Sequence, residues 1–240
     1  MISIIIPTLN EEKFLESTLE QFRLLKVDHE LIITDGGSKD RTQEIARRYT
    51  SNVIVYVEKK RQTIPQAKNS GAAEAKGEIL LFIDADVTIP NPNEILKKLL
   101  DEFVKRPKLV ALTVPLRVDK VHETLADRFL FGYVNLQHSF NNNSWFGEGS
   151  ASGEFQMIRR SAFDELNGYD ETLVAYEDYD MFHRLHKIGK TRMVNSVCVF
   201  HTGRRVHKEG HFHVLMMWLL NGLWYRLFHK AYSKVWFPTR

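Results

Sequence analysis

Residues 79–86 read Ile-Leu-Leu-Phe-Ile-Asp-Ala-Asp, five consecutive apolar side chains that stop on two carboxylates two positions apart. A short apolar run bounded by polar residues is the pattern of a strand covered on both faces, as in a parallel sheet. The pattern recurs upstream in Ile2–Pro7, Leu31–Thr34 and Val53–Val57, and downstream in Leu109–Val114. The polar segments between these runs have helical spacing. Glu11–Leu25 carries Phe14, Leu15, Leu19, Phe22 and Leu25 on one side, with Asn10 placed to cap its start. Asp40–Tyr49, Gln66–Lys76 and Asn93–Lys105 read the same way. Strands alternating with crossover helices predict an α/β fold whose mainly parallel sheet is flanked by helices. Beyond residue 120 longer helices and an irregular stretch, Gly147–Gly153, precede a last strand near Arg192–Phe200.

A chain of 240 residues, 43% apolar and 26% charged, is long enough for one globular domain with a real core. Its 13 Gly and 7 Pro form no biased tract, which excludes collagen-like and largely disordered classes. Cys198 is the only cysteine, so neither an internal disulfide nor a cysteine-pair zinc site is available, and a reducing compartment is expected. The start lacks the basic segment and cleavage site of a secretory signal, which points to the cytoplasm.

Charge is uneven along the chain. Residues 201–240 hold Arg204, Arg205, Lys208, Arg226, Lys230, Lys234 and Arg240 against the single acid Glu209, a net +6, leaving −3 for residues 1–200. An acidic body with a basic tail suits an anionic partner. Phe212–Phe228 reads FHVLMMWLLNGLWYRLF, in which His213, Asn221 and Arg226 interrupt a run already short for a helix spanning about 20 residues of bilayer. It fits an amphipathic helix at the membrane surface, with 211–236 in peripheral contact at the inner face of the cell membrane. The alternative is a helix packed on the domain or on a second copy in a homodimer. Basic charge confined to a Trp- and Leu-rich tail argues against nucleic acid. The expected division is a catalytic domain over 1–205 and a C-terminal appendage over 206–240.

Ligands of open α/β sheets bind at the carboxyl ends of the strands. Three such ends are polar here: Pro7-Thr8-Leu9-Asn10-Glu11, Asp35-Gly36-Gly37-Ser38-Lys39-Asp40 and Asp84-Ala85-Asp86. The Asp-Gly-Gly-Ser turn is either a ligand loop or a connection in which Gly allows the tight turn and Ser caps the next helix. Asp84 and Asp86 repel each other and are desolvated together, unless they form a solvated turn. A divalent cation, Mg2+ or Mn2+, resolves that repulsion. Tyr176-Glu177-Asp178-Tyr179-Asp180 precedes a segment with Met181, Leu185 and Ile188 on one face. Acids there either complement the helix dipole or include a general base toward a hydroxyl. No Gly-x-Gly-x-x-Gly follows a strand, which excludes nucleotide dehydrogenases.

Together, Ile6-Pro-Thr-Leu-Asn-Glu-Glu12, Thr34-Asp-Gly-Gly-Ser-Lys-Asp-Arg-Thr42, Ala67-Lys-Asn-Ser-Gly-Ala-Ala-Glu-Ala-Lys-Gly77, Asp84-Ala-Asp86 and Glu177-Asp178 resemble family 2 glycosyltransferases of the Rossmann-like GT-A fold. The resemblance implies inverting, metal-assisted transfer of a sugar from a nucleotide-diphospho-sugar, with UDP and GDP donors both compatible. It implies a nucleoside pocket at Pro7, Thr8, Asn10 and Glu11, with Asp35 of the Gly37-containing loop accepting from the base. Lys68 would lie near the diphosphate, Asp84 at the ribose or sugar, and Asp86 on the metal. Asp178 would be the catalytic base, oriented by Glu177. Gly153-Glu-Phe-Gln-Met-Ile-Arg-Arg160, Phe163 and Gly168-Tyr-Asp170 match the acceptor-side stretch, which places Ser150–Gly153 either along the acceptor site or in a structural loop. His201 is either a packed histidine or a further metal ligand, and Arg204 and Arg205 suit a diphosphate by charge and geometry. The Gln-x-x-Arg-Trp signature of processive synthases is absent, so the acceptor expected is a glycan or a lipid-linked group, without polymerisation.

Two other classes share pieces of this pattern. Phe82-Ile-Asp-Ala-Asp-Val-Thr88 also resembles the nucleophile strand of haloacid-dehalogenase-type phosphatases, although there the nucleophilic Asp ends the first core strand and here three strands precede it. A non-catalytic nucleotide-sugar-binding module would keep Asp86 and tolerate loss of Asp178.

Overall fold

The five apolar runs become β1 (Ile2–Thr8), β2 (His29–Asp35), β3 (Val53–Val55), β4 (Ile79–Ile83) and β5 (Leu109–Thr113). The intervening helices are α1 (Leu15–Glu20), α2 (Thr42–Arg47), α3 (Ile64–Glu74) and α4 (Pro92–Lys105). There follow β6 (Leu116–Val118), α5 (Leu125–Asn143), β7 (Phe155–Arg159), α6 (Arg160–Glu165), α7 (Glu177–Ile188), β8 (Lys190–Met193), β9 (Val199–His201), α8 (Arg204–Glu209) and α9 (His211–Phe228). This computed structural model describes residues 1–58 and 60–233. Lys234, Arg240 and the end of the expected 211–236 contact lie outside the described residues.

The main sheet has the order β3-β2-β1-β4-β7-β5-β8. Its pairs are parallel except where β7 lies antiparallel between β4 and β5, with Ile83 opposite Phe155. The strand expected over 192–200 is two strands. Val197 N donates to Val194 O across the Asn195-Ser196 turn, so β8 ends the main sheet while β9 pairs with β6 in a separate two-stranded ribbon.

Alternation along the strands divides the core into two layers. Ile2, Ile4, Ile6, Ile33, Leu81 and Ile83 pack with Leu15, Leu19, Ile45, Leu96 and Leu99 from α1, α2 and α4. Ile5, Ile32, Leu80, Phe82 and Ile158 face Ala72, Phe163, Met181, Phe182 and Leu185 from α3, α6 and α7. Ile188, at the end of the α7 stripe, is only partly covered. A Cβ at Gly71 would lie 2.4 Å from Ile5 Cγ2, so α3 approaches β1 as closely as glycine allows.

Asn10 does not cap α1. It takes a left-handed φ of 53°, and its Oδ1 accepts from Lys39 N at 2.7 Å, tying the β1 loop to the β2 loop. The helix starts later, at Leu15, where Phe14 is the N-cap and contributes no side-chain bond.

The tail belongs to the same packed body. Val214 joins Val118, Leu130, Phe131 and Val206 in a small core, and the Tyr225 hydroxyl donates to Asp180 Oδ1 at 2.5 Å. α8 crosses the boundary expected at 205/206. The polar Asn221 is buried, whereas Phe212, Leu219, Leu223, Leu227 and Phe228 face outward. Among the described residues no helix is long and apolar enough to cross a membrane.

Candidate active site

One cavity of about 550 Å3 opens at the carboxyl ends of β1 and β4. Pro7, Thr8, Glu11, Lys68, Asp84, Asp86, Glu177, Asp178, His201, Arg204 and Arg205 all line it. Asn10, Asp35 and Gly37 do not. The carboxylate of Asp35 is fully buried and turned into its own loop: Oδ1 accepts from Gly37 N, Ser38 N and Gln43 Nε2 at 3.1, 2.8 and 2.8 Å. Its Oδ2 accepts from Ser38 Oγ at 2.5 Å and from Thr8 Oγ1 at 3.2 Å. A carboxylate offers about four lone-pair sites, and these donors account for them. Gly37, at φ 85°, allows this turn to close on Asp35, and Gly36 is the residue of the turn that reaches the cavity. Ser38 therefore braces Asp35 and does not cap α2.

At the cavity floor one ammonium faces several acids. Lys68, on α3, is 1% exposed and its Nζ lies 3.8 Å from Glu177 Oε1 and 5.0 Å from the Tyr169 ring centre. Nζ makes no hydrogen bond among the described residues. Asp178 Oδ1 accepts from Tyr179 N at 2.7 Å. A Cβ at Gly153 would sit 3.5 Å from both Asp178 Oδ2 and Lys68 Nζ, so bare backbone at 153 borders the pair. Burial, and then the charge of Asp178, push Glu177 up to about 8. Burial also raises Asp178, with Lys68 opposing. Asp84 is raised to about 7 by burial and then by Glu154. Glu154 is itself raised to about 7, by burial and by Asp178. Glu177, Asp84 and Glu154 thus titrate near neutrality, and Asp178 is moved up toward the range in which a general base operates best.

On the other side, Arg204 forms a two-pronged pair with Glu11, Nη1 to Oε2 at 2.6 Å and Nη2 to Oε1 at 2.8 Å. Its Nε lies 3.3 Å from Asp86 Oδ2, which also accepts from Thr202 Oγ1 at 2.5 Å. Burial raises the Glu11 carboxyl despite the guanidinium beside it. Arg205 lines the cavity and pairs with Glu209 at 2.9 Å.

A divalent cation fits this corner. The Nε2 of His201 is buried without a hydrogen-bond partner among the described residues, while Nδ1 accepts from Gly203 N at 3.3 Å. The negative charges acting on the ring include Asp86 and Asp84, although burial keeps its pKa below the usual value. An imidazole kept neutral beside carboxylates is a ligand set for Mn2+ or Mg2+.

Sequence reasoning passed over two contributors. Glu154 reaches the acids because antiparallel β7 sets Glu154 O to accept from Asp84 N at 3.2 Å, a pairing that no local pattern announces. The second is the tail: Leu215, Trp218, Leu219, Gly222, Leu223 and Arg226 line the cavity together with Phe131, Tyr133 and Val134 of α5.

The sequence model of Glycosyl transferase family 2 matches residues 3–166. The succinoglycan biosynthesis protein ExoA of Rhizobium meliloti is 29% identical over 206 residues, covering 78% of this chain and 58% of that protein. The chain thus spans about half the length of the curated relatives it matches. The mannosyltransferase PcManGT from Pyrobaculum calidifontis, in complex with GDP-Man and Mn2+, superposes with a TM-score of 0.73 at 19% identity, over 92% of this chain and 61% of that one. S. aureus TarS 1-349 in complex with UDP-GlcNAc gives 0.64 at 19% identity, over 82% and 57%.

Proposed function

The chain belongs to glycosyl transferase family 2, and from that premise we propose that it transfers a sugar, with inversion, from a nucleotide-diphospho-sugar to an acceptor carried on a lipid. The observation that carries the reading is the pairing within one cavity of Asp178, partly buried and with a raised pKa, with the Asp86–His201–Arg204 corner. Asp178 takes the proton of the acceptor hydroxyl as its oxygen attacks the anomeric carbon, and the bond from that carbon to the diphosphate breaks on the opposite side. Glu177 and Lys68 set the charge around Asp178. Asp86 and His201 would hold Mg2+ or Mn2+, which when bound neutralises charge developing on the departing diphosphate. Arg204 and Arg205, which both line the cavity, would bind the phosphates. The GDP-Man and UDP-GlcNAc complexes of the structural neighbours are the reason to test both nucleotides.

The lipid follows from the cavity mouth. Leu125, Phe129, Tyr133, Leu136 and Phe140 recur on one exposed face of α5, beside Trp145, 91% exposed, and Phe146. Tyr133 of that stripe and the exposed Leu219 and Leu223 of α9 all line the cavity, so its mouth lies within an apolar surface. A patch of this kind marks a membrane or protein contact. Arg226, in the last turn of α9 and 3.2 Å from Glu148, and Lys230, just beyond the helix, suit anionic head groups, giving peripheral attachment at the inner face of the membrane. The phosphatase reading falls with family membership, since Asp84 ends the fourth strand.

Calorimetric titration with UDP and GDP, each with Mn2+ and with EDTA, tests the donor side. One nucleotide should bind in a metal-dependent way. Asp178→Asn should keep that binding and lose transfer, whereas Asp86→Ala should lose the binding itself. Equal loss of binding in both variants would sink this division of roles.

A further inference from the structure

A second cluster of ligand groups lies outside the catalytic cavity, where α8, α9 and the start of α5 meet. Asp127 is the third residue of α5 and is 1% exposed. Its Oδ2 accepts from Thr124 N at 2.8 Å and Thr124 Oγ1 at 2.7 Å, closing a capping box that fixes the carboxylate in place. His207 comes from the last turn of α8 and His211 from the first turn of α9, joined through Gly210 at φ 89°. That bend brings both rings to the same carboxylate: His207 Nε2 lies 2.9 Å from Oδ2, and His211 Nε2 lies 2.8 Å from Oδ1. Among the described residues, only these three bring three ligating atoms within 4.8 Å of one another.

Two imidazoles and one carboxylate, with the acid rigidly held, are the donor set of a three-ligand Zn2+ site that keeps a position for water. The two rings have side-chain exposures of 30% and 28%, which leaves that position open to solvent. We propose that Asp127, His207 and His211 form a divalent-cation site of the Zn2+ class, distinct from Asp86 and His201, that clasps α8 and α9 onto α5. Each imidazole ligates through an unprotonated Nε2, carrying its proton on Nδ1, so the cation replaces the Nε2–H···O bonds that otherwise join the rings to the acid. None of the three side chains lines the cavity. The clasp nonetheless bears on it, because a Cβ at Gly203 would lie 3.2 Å from His207 Cε1, next to Arg204.

The test uses the full chain, stripped with EDTA and dialysed against Zn2+ in excess Mn2+, with bound zinc counted by elemental analysis. One equivalent should remain on the native chain and on Asp86→Ala, and should be lost from His207→Gln and His211→Gln. Glutamine still donates to Asp127, so a clasp made only of hydrogen bonds would survive these changes with no zinc effect. No retained zinc on the native chain, or zinc lost with His201→Ala but kept in both glutamine variants, overturns the proposal. Should the glutamine variants fail to fold, Co2+ on the native chain decides. Intense visible bands of a four-coordinate nitrogen and oxygen site support it, and weak six-coordinate bands alone refute it.

Discussion

Replacing Lys68 by Met removes the ammonium that faces the buried acids while nearly preserving side-chain volume. The ion pair with Glu177 spans 3.8 Å between side chains that are 1% and 8% exposed. At an effective dielectric constant of about 20, charges at that distance attract by about 4 kcal/mol. This figure applies only when Glu177 is ionised, which gives the prediction its pH dependence. Glu177 is raised from 4.5 to about 8 by burial and by Asp178, so the folded state favours its protonated form. Its stabilising contribution is complete below 4.5 and is lost as the pH rises through about 8. Lys68 limits that loss. Lys68→Met should therefore have little effect near pH 5, where Glu177 is protonated with or without the ammonium, and should destabilise by about 1 kcal/mol near pH 8.5, because in the variant Glu177 keeps its proton and the loss is limited to the cost of holding that proton half a pH unit above about 8. For a chain of this size that is about 2–4 °C in Tm at the higher pH. Urea unfolding of both proteins in EDTA, from about pH 5 to pH 8.5, measures it. An equal loss at both ends of the range would mean that Lys68 acts through packing, and would refute the electrostatic account.

Two further predictions concern the tail and the apolar face. Tyr225→Phe deletes the donor to Asp180, which keeps its 2.7 Å contact with Arg184, and should lower stability by about 1.5–3 kcal/mol in denaturant titration. An unchanged midpoint would mean that this bond does not hold α9. Phe129→Ser combined with Trp145→Ser should weaken cosedimentation with anionic lipid vesicles and leave nucleotide binding intact. Unchanged sedimentation together with loss of a dimer would assign the face to a second copy of the chain instead.

The residues legible in the sequence are those whose roles are local. The apolar run of β4 is closed by Asp84 and Asp86, and its strand limits coincide with those read from the run. Glu177 and Asp178 likewise open α7, where the helix dipole favours acids. Long-range placement was hidden. Nothing near Phe155–Arg159 states that this strand runs antiparallel between β4 and β5, yet that insertion delivers Glu154 to the acid cluster. Asn10 is a good cap by composition, but Lys39 N from the neighbouring loop competes for its side chain and wins. The polar turn at Asp35 shows the same competition, because the carboxylate expected to read a base is satisfied by its own loop.

The tail carries the argument furthest, since its composition suggested a surface helix and its packing makes it a wall of the site. A helix that buries Asn221 and Gly222 while presenting Leu219, Leu223 and Phe228 outward reverses the usual arrangement of polar and apolar faces. Gly222 is what lets it lie so close: a Cβ there would meet the Tyr176 hydroxyl at 2.7 Å, one residue before Glu177. The helix bearing the apolar surface is thereby fixed against the turn that carries the acids. On the proposed reading, an acceptor held in lipid against that surface would meet Asp178 through the same α9 that seats it, so one packing contact would set both the position of the membrane and that of the base.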